Sequence, residues 1–432
     1  MAHPVPAQRP WRTAILAGMA SYLDSAALVG SGIGISVLYA GPLGLTPGMI
    51  GTVLACQQFA FALGALFGGR LGDRFGRRRV LTLALIVFAV GAVLLATAVA
   101  PWMLIPGAVL TGLGIGADLP VALALANEAA PPRRKGRMVS LSALLWALGI
   151  ATVQLVVSFV GHLGVTGARI IFWGLVGIAV LVLLLRISLP ESQEWLDARR
   201  AADRDGRTGA PAVQFRNIGQ IFRRPVVFAV LATGIFYAAW NVGASINGQY
   251  KTYIWTTLAG GDVETISRLA LIALVLSLLA SALFMALVDT RWRRPLTVIG
   301  TVLILVSWAP LTFLGPSRAS ILVLVFLFGL ASSLAGEPLY KVWSQELIPT
   351  LLRGTAQGVT MAFARVVAAI LAFVVPSLLA SSPRVVFTGI FVCAVVSTVV
   401  LLVWMPRLRT ADEYAPEAAA VAGETAAASS AR

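Results

Sequence analysis

Five ionisable residues stand inside long apolar runs of this 432-residue chain: Asp24, Asp118, Glu337, Lys341 and Arg365. A charge at the centre of a hydrocarbon layer costs about 2.5–3.5 kcal/mol on insertion scales, so each needs a partner or a water-filled cavity. A carboxylate whose surroundings alternate between dry and wet can take up and release a proton as they change. Asp24, Asp118 and Glu337 are therefore candidate proton carriers. The competing reading is that they form static ion pairs between helices.

Two polar stripes accompany them. Ser333, Glu337, Lys341 and Ser344 recur at steps of four, four and three, which predicts one helical face turned towards a cavity. On that face Glu337 and Lys341 neutralise one another, or Arg365 reaches Glu337 instead; a free Lys341 or Arg365 would suit an anionic or polyhydroxylated solute. Tyr237, Asn241, Ser245 and Gln249 recur at steps of four, with Trp240 beside them and Trp146, Gln57 and Gln58 available from other segments. Amides and aromatic rings suit a sugar or polyol. Amides also hydrogen-bond helix to helix, worth about 0.6 kcal/mol on average, so the stripe means more than any one member.

The elements that position these groups are read from composition. The chain is 58% hydrophobic and 12% charged, with a mean hydropathy of +0.88, which excludes an ordinary soluble domain. The net charge of +15 would suggest nucleic acid in such a domain, but in a membrane chain it reports loop topology, and no nucleic-acid partner is expected. Apolar runs long enough to cross about 30 Å of hydrocarbon lie near 14–38, 48–68, 80–100, 102–127, 138–161, 168–188, 226–250, 265–288, 296–314, 319–345, 355–380 and 384–405. The fold class is all-α, with twelve transmembrane helices. The expected organisation is a bundle over 1–188, a polar linker with short surface helices over 189–224, a second bundle over 225–408 and a disordered tail over 409–432.

With the amino terminus in the cytoplasm, only five of the 33 Lys and Arg fall outside: Arg169, Lys251, Arg268, Arg318 and Arg384. That asymmetry orients both termini inward, in a cytoplasmic membrane. Cys56 and Cys393 suggest no disulfide framework, and His3 and His162 have no metal-site spacing. No phosphate-binding loop occurs, and Gly112, Gly114 and Gly116 fit close helix packing rather than a dinucleotide loop. Neither a metal nor a cofactor is expected.

The chain repeats itself. "EAAPPRRKG", with Glu128, returns as "ELIPTLLRG", with Glu346 and Arg353, and "DRFGRR" from Asp73 returns as "DTRWRR" from Asp289. The offsets of 218 and 216 residues agree closely, which points to two parallel halves with a solute site between them. The segment Gly69, Asp73, Arg74, Gly76, Arg77 and Arg78, in the second connection, resembles the signature loop of the major facilitator superfamily. The paired repeats and "LPESQEWL" are similar to its sugar-porter and metabolite:proton symporter branches, as are "GLGIGAD" and "SYLD", which contain Asp118 and Asp24. Ala108 stands where many relatives carry an arginine, and Ala143 and Ala239 replace amides of the sugar porters.

The resemblance implies two six-helix bundles around a central cavity. It also implies a cytoplasmic latch in which Glu128 and Glu346 pair with Arg77, Arg78, Arg293 and Arg294. The expected function is proton-coupled import of a small polar organic solute (sugar, polyol or carboxylate) by alternating access, in the bilayer and as a monomer, with no enzymatic activity. An uncoupled facilitator or a proton antiporter on the same fold is the alternative, and a membrane sensor or enzyme a remote one.

Overall fold

A chain crossing hydrocarbon must satisfy its backbone polar groups within each segment, and here it does so with helices. The computed structural model describes residues 10–128, 135–187, 226–348 and 350–408, with Leu189, Glu191, Leu196 and Arg224 as isolated positions. The helices are α1 (Pro10–Ile33), α2 (Pro47–Phe75), α3 (Arg77–Ala96), α4 (Pro101–Glu128), α5 (Lys135–Val160), α6 (Val165–Arg186), α7 (Val226–Leu258), α8 (Val263–Leu287), α9 (Arg293–Phe313), α10 (Arg318–Ala335), α11 (Glu337–Leu347), α12 (Thr350–Ser381) and α13 (Pro383–Val399). They supply twelve membrane spans among the described residues, α10 and α11 together making the tenth. No strand occurs among them.

Helix starts are set by local chemistry. Thr46 accepts from the Met49 N–H just before Pro47 opens α2, and Ser317 accepts from Ser320 at the start of α10. Asp262 caps α8 by accepting from the Thr265 N–H at 2.8 Å, and the Thr265 hydroxyl together with that N–H holds its carboxyl below the usual carboxylate range. Gly76 links α2 to α3 with φ of 98°, a conformation that disfavours any side chain. That accounts for one glycine of the signature loop. Gly69 is not explained this way, since a Cβ there would meet nothing within 4 Å.

The first half is tied together at short range. Gly112 and Gly116 of α4 lie against the Gln57 and Phe61 carbonyls of α2, as the reading of these glycines as packing residues expected. Ser25 of α1 donates to the Trp146 carbonyl of α5 at 2.6 Å.

The two halves meet on the membrane face opposite the described chain ends. There Gly32 of α1 lies against the Gln249 carbonyl of α7, and Gly51 of α2 against that of Phe373 in α12. Arg268 of α8 donates to the Ser158 carbonyl of α5 at 3.1 Å, and His162 lies 3.3 Å from Glu264.

One expected element is divided. The tenth span breaks at Gly336 (φ −107°, ψ −134°), where a Cβ would collide with the Ser332 carbonyl and approach the Trp240 ring at 2.7 Å. Pro338 follows two residues later and cannot donate a backbone hydrogen bond. The predicted single face of Ser333, Glu337, Lys341 and Ser344 therefore does not form. Ser333 donates to the Ser277 and Gly329 carbonyls, and buried Ser344 accepts from Gln357 of α12 at 2.7 Å.

Candidate functional site: the charged centre between the halves

The break at Gly336 opens α11 at membrane depth, and Glu337 is its first residue, where a helix amino end favours an acid. One turn on, Lys341 Nζ lies 2.9 Å from Glu337 Oε1. The pair is half-exposed, at 52% and 40% of side-chain area, so it faces an open space rather than a packed interior. Of the two readings of this pair, mutual neutralisation is the arrangement observed.

Asp24 approaches from α1 and is buried, at 7% exposure. The Trp146 indole of α5 is near enough to its carboxylate to favour the charged form. The bond from the Ser25 hydroxyl to the Trp146 carbonyl and the contact of Gly149 with the Tyr22 carbonyl fix α1 against α5 at this level. Arg365 of α12 is within charge-interaction range of Asp24, Glu337 and Tyr237. Its guanidinium lies 4.5 Å above the Phe61 ring of α2, a cation–π contact that joins the halves. Tyr237 stacks on Tyr340 at 4.3 Å and on Trp240 at 5.8 Å, while the Tyr340 hydroxyl bonds Thr360. The Trp240 indole bonds Ser332 at 3.3 Å. Asp24, Trp146, Tyr237, Trp240, Glu337, Lys341 and Arg365 thus converge, as a charged and aromatic centre between the halves.

Other expected members stand elsewhere. Gln57 donates to Ser31 at 2.9 Å and Thr111 at 3.2 Å, joining α1, α2 and α4, so its amide N–H donors go to helix packing rather than to the centre. Gln58 is buried with no hydrogen bond among the described residues. Gln249 is buried at the seam by Gly32, and Asn241 and Ser245 lie half-buried between it and Tyr237. Asp118 is not at the centre. Arg186 Nη1 meets its Oδ1 at 2.6 Å, with both side chains at most 4% exposed, and Arg186 Nε donates to the Leu16 carbonyl. Arg186, the last residue of α6, was not among the site residues that the sequence singled out.

The latch motifs are partly visible. Arg293 makes a two-pronged pair with Glu346, at 2.7 and 2.8 Å, and lies over the Trp343 ring at 4.9 Å. Arg294 and Asp289 are exposed. In the first half, Glu191 of "LPESQEWL" accepts from the Arg77 and Arg78 backbone N–H groups, and Arg78 Nη2 donates to the Ile187 carbonyl. Glu191, unassigned by the sequence reading, caps α3 where an acid offsets the helix dipole. Arg74 lies over Phe75. The side chains of Asp73, Glu128 and Arg353 lie outside the described residues.

Residues 14–373 match the family description Major Facilitator Superfamily. The chain belongs to the major facilitator superfamily. Among this superfamily's curated members, it is 28% identical over 404 residues to the minor myo-inositol transporter IolF of Bacillus subtilis, covering 91% of this chain and 90% of that protein. It is 26% identical over 380 residues to the arabinose-proton symporter of the same organism, covering 81% and 80%. The crystal structure of a D-xylose-proton symporter superposes with a TM-score of 0.72 at 21% identity, over 92% of this chain and 96% of that one, which shows a shared fold. The chain is a multi-pass membrane transporter of this superfamily and not an enzyme.

Proposed function

We propose that this transporter is a proton-coupled importer of a small polar organic solute (sugar, polyol or carboxylate), with Asp24 as the proton-carrying group. The observation that carries this is the placement of Asp24: a buried carboxylate on one half that interacts electrostatically with a cation, Arg365, on the other half. When the halves rock, the distance between these charges changes, and with it the cost of ionising Asp24. Proton binding is thereby linked to which side is open. The names of the inositol and pentose relatives support the solute class, and Tyr237, Tyr340 and Trp240 provide flat faces for such a body.

The positive-inside asymmetry supports placing the chain ends in the cytoplasm. On that orientation the seam at Gly32, Gly51 and Arg268 closes the outer face, and the half-exposed Lys341 and Trp146 face inward. The drawn state is then the inward-facing one. Arg293 and Glu346 lie at the foot of the second half and brace α9 to α11.

The test is solute uptake into proteoliposomes with and without an imposed pH gradient, in the parent chain and in Asp24→Asn. Accumulation in the parent that follows the gradient, and is lost in the variant, is the expected result. Uptake indifferent to both would sink the reading and leave an uncoupled facilitator.

A further inference from the structure

Among the described residues, four charged side chains gather at the centre: Asp24 on α1, Glu337 and Lys341 on α11, and Arg365 on α12. Glu337 and Lys341 neutralise one another at 2.9 Å. Arg365 forms no ion pair within 4.0 Å among the described residues. Its guanidinium carbon lies 4.5 Å from the Phe61 ring centre, and its N–H groups make no hydrogen bond among the described residues, so they are available to grip a flat anion. Asp24 alone is left to balance it. The groups that face Asp24 are the Trp146 indole of α5, Arg365 of α12, Glu337 of α11 and the Tyr237 hydroxyl of α7, and none of the others supplies a second negative charge to spare.

The charge count follows. With Asp24 ionised the four groups sum to zero, and with a proton on Asp24 they sum to one positive charge. An unopposed cation at membrane depth is costly. A ligand that brings one negative charge removes that cost.

Resting on the symport reading above, we propose that the solute is a small organic monocarboxylate, taken by the N–H edge of Arg365 once Asp24 has accepted a proton, with its ring or hydroxylated body against Tyr237 and Tyr340. No bond is made or broken other than the O–H on Asp24, whose proton comes from and returns to water. Proton and anion cross together with no net charge, so uptake responds to the pH difference and not to the membrane potential. A neutral polyol carried with one proton would instead move one charge and follow the potential.

The experiment uses the full purified chain and matched pairs of probes: nicotinate with nicotinamide, and glucuronate with glucuronamide. Binding is read by thermal stabilisation and calorimetry at pH 6 and pH 8, and uptake in vesicles carrying either a pH gradient or a potassium diffusion potential. A carboxylate is expected to bind where its amide does not, more tightly at pH 6, by up to about tenfold per pH unit because proton and anion binding are reciprocal. Asp24→Asn, locked in the uncharged form, should bind the carboxylate at pH 8 as tightly as the parent does at pH 6. Arg365→Gln should weaken carboxylate binding by about thirtyfold, the scale of one charge-assisted bond, while Arg365→Lys keeps part of it. Amides binding as well as acids, no carboxylate binding at either pH, or uptake that follows the potential would each overturn the proposal. Potential-driven, Asp24-dependent uptake of a neutral solute would leave symport standing and remove only the monocarboxylate. Uptake indifferent to the pH gradient and to Asp24→Asn would remove symport itself.

Discussion

Asp24 and Asp118 are both buried carboxylates on helices of the first half, and both head a short list of charges that the membrane should exclude. They differ in where the opposite charge resides. Asp118 on α4 is held at 2.6 Å by Arg186 on α6, so both partners belong to one half and need not separate when the halves rock. Asp24 faces Arg365 across the boundary between halves, so the proposed rocking of the halves would change its environment. On the proposed mechanism, burial alone does not mark a coupling residue. The decisive feature is whether the countercharge rides on the same rigid body.

The sharpest way to break that contrast is to remove one partner of the static pair. Asp118→Asn should cost about 3–5 kcal/mol of folding stability, because Arg186 is left buried and unpaired. Replacing both, as Asp118→Leu with Arg186→Met, should recover most of the loss, since apolar groups in such a site are often neutral or better. Thermal unfolding in detergent reads both. Asp24→Asn, by contrast, should lose less stability than Asp118→Asn, since Arg365 is only half-buried, keeps its Phe61 contact, and can still donate to the amide oxygen. A double variant as unstable as the single one would show that Asp118 does more than balance Arg186.

Next comes the functional side of the same contrast. Asp24→Asn should abolish the accumulation driven by a pH gradient, a loss of about tenfold per pH unit imposed, while solute exchange across the membrane continues. The stabilised Asp118→Leu, Arg186→Met double variant should still accumulate solute. Equal loss of coupling in the two would merge the carboxylates into one class.

Glycines offer the comparison in neutral form. Gly116 packs against Phe61 within the first half, and Gly32 against Gln249 between halves, with a Cβ at Gly32 only 2.6 Å from a carbonyl oxygen. Overpacking typically costs about 1–3 kcal/mol. At Gly116 that should appear as lost stability. At Gly32 it should appear as a shift away from the state closed on that face, by roughly tenfold or more, read by labelling of a cysteine placed beside the seam. Gly174→Ala in α6, exposed and facing open space, is the silent control.

The spans were legible because a bilayer leaves a chain few choices: long apolar segments must be helices, and charge asymmetry orders the loops. The contents of the centre were legible by type, since Asp24, Glu337, Lys341 and Arg365 are expensive wherever they fall. Their grouping was not. Asp24, Trp146 and Arg365 lie on three helices far apart in sequence, and only packing decides that they meet. Arg186 escaped because it ends an apolar run and reads as a loop cation; the signal was that Asp118 had no other partner in its own half. The break at Gly336 did have a signature, the Gly-Glu-Pro of residues 336–338, which helical periodicity alone passes over.

The smallest effect belongs to the pair that resembles Asp118–Arg186 in being confined to one half, yet stands in water. Arg293 and Glu346 have side chains 24% and 40% exposed, and their two bonds brace the foot of α11 against α9. Glu346→Gln should lower stability by less than about 1 kcal/mol, because solvent screens such pairs. Most of that difference should vanish in 1 M salt, whereas the Asp118→Asn deficit should persist because ions do not reach it. Since α11 begins just after the break at Gly336 and carries Glu337 and Lys341, loosening its foot should change the uptake rate more than the stability, by about two- to threefold. A large salt-independent loss in Glu346→Gln would place this pair with the buried one, and would mean that confinement to one half, rather than exposure to water, sets its strength.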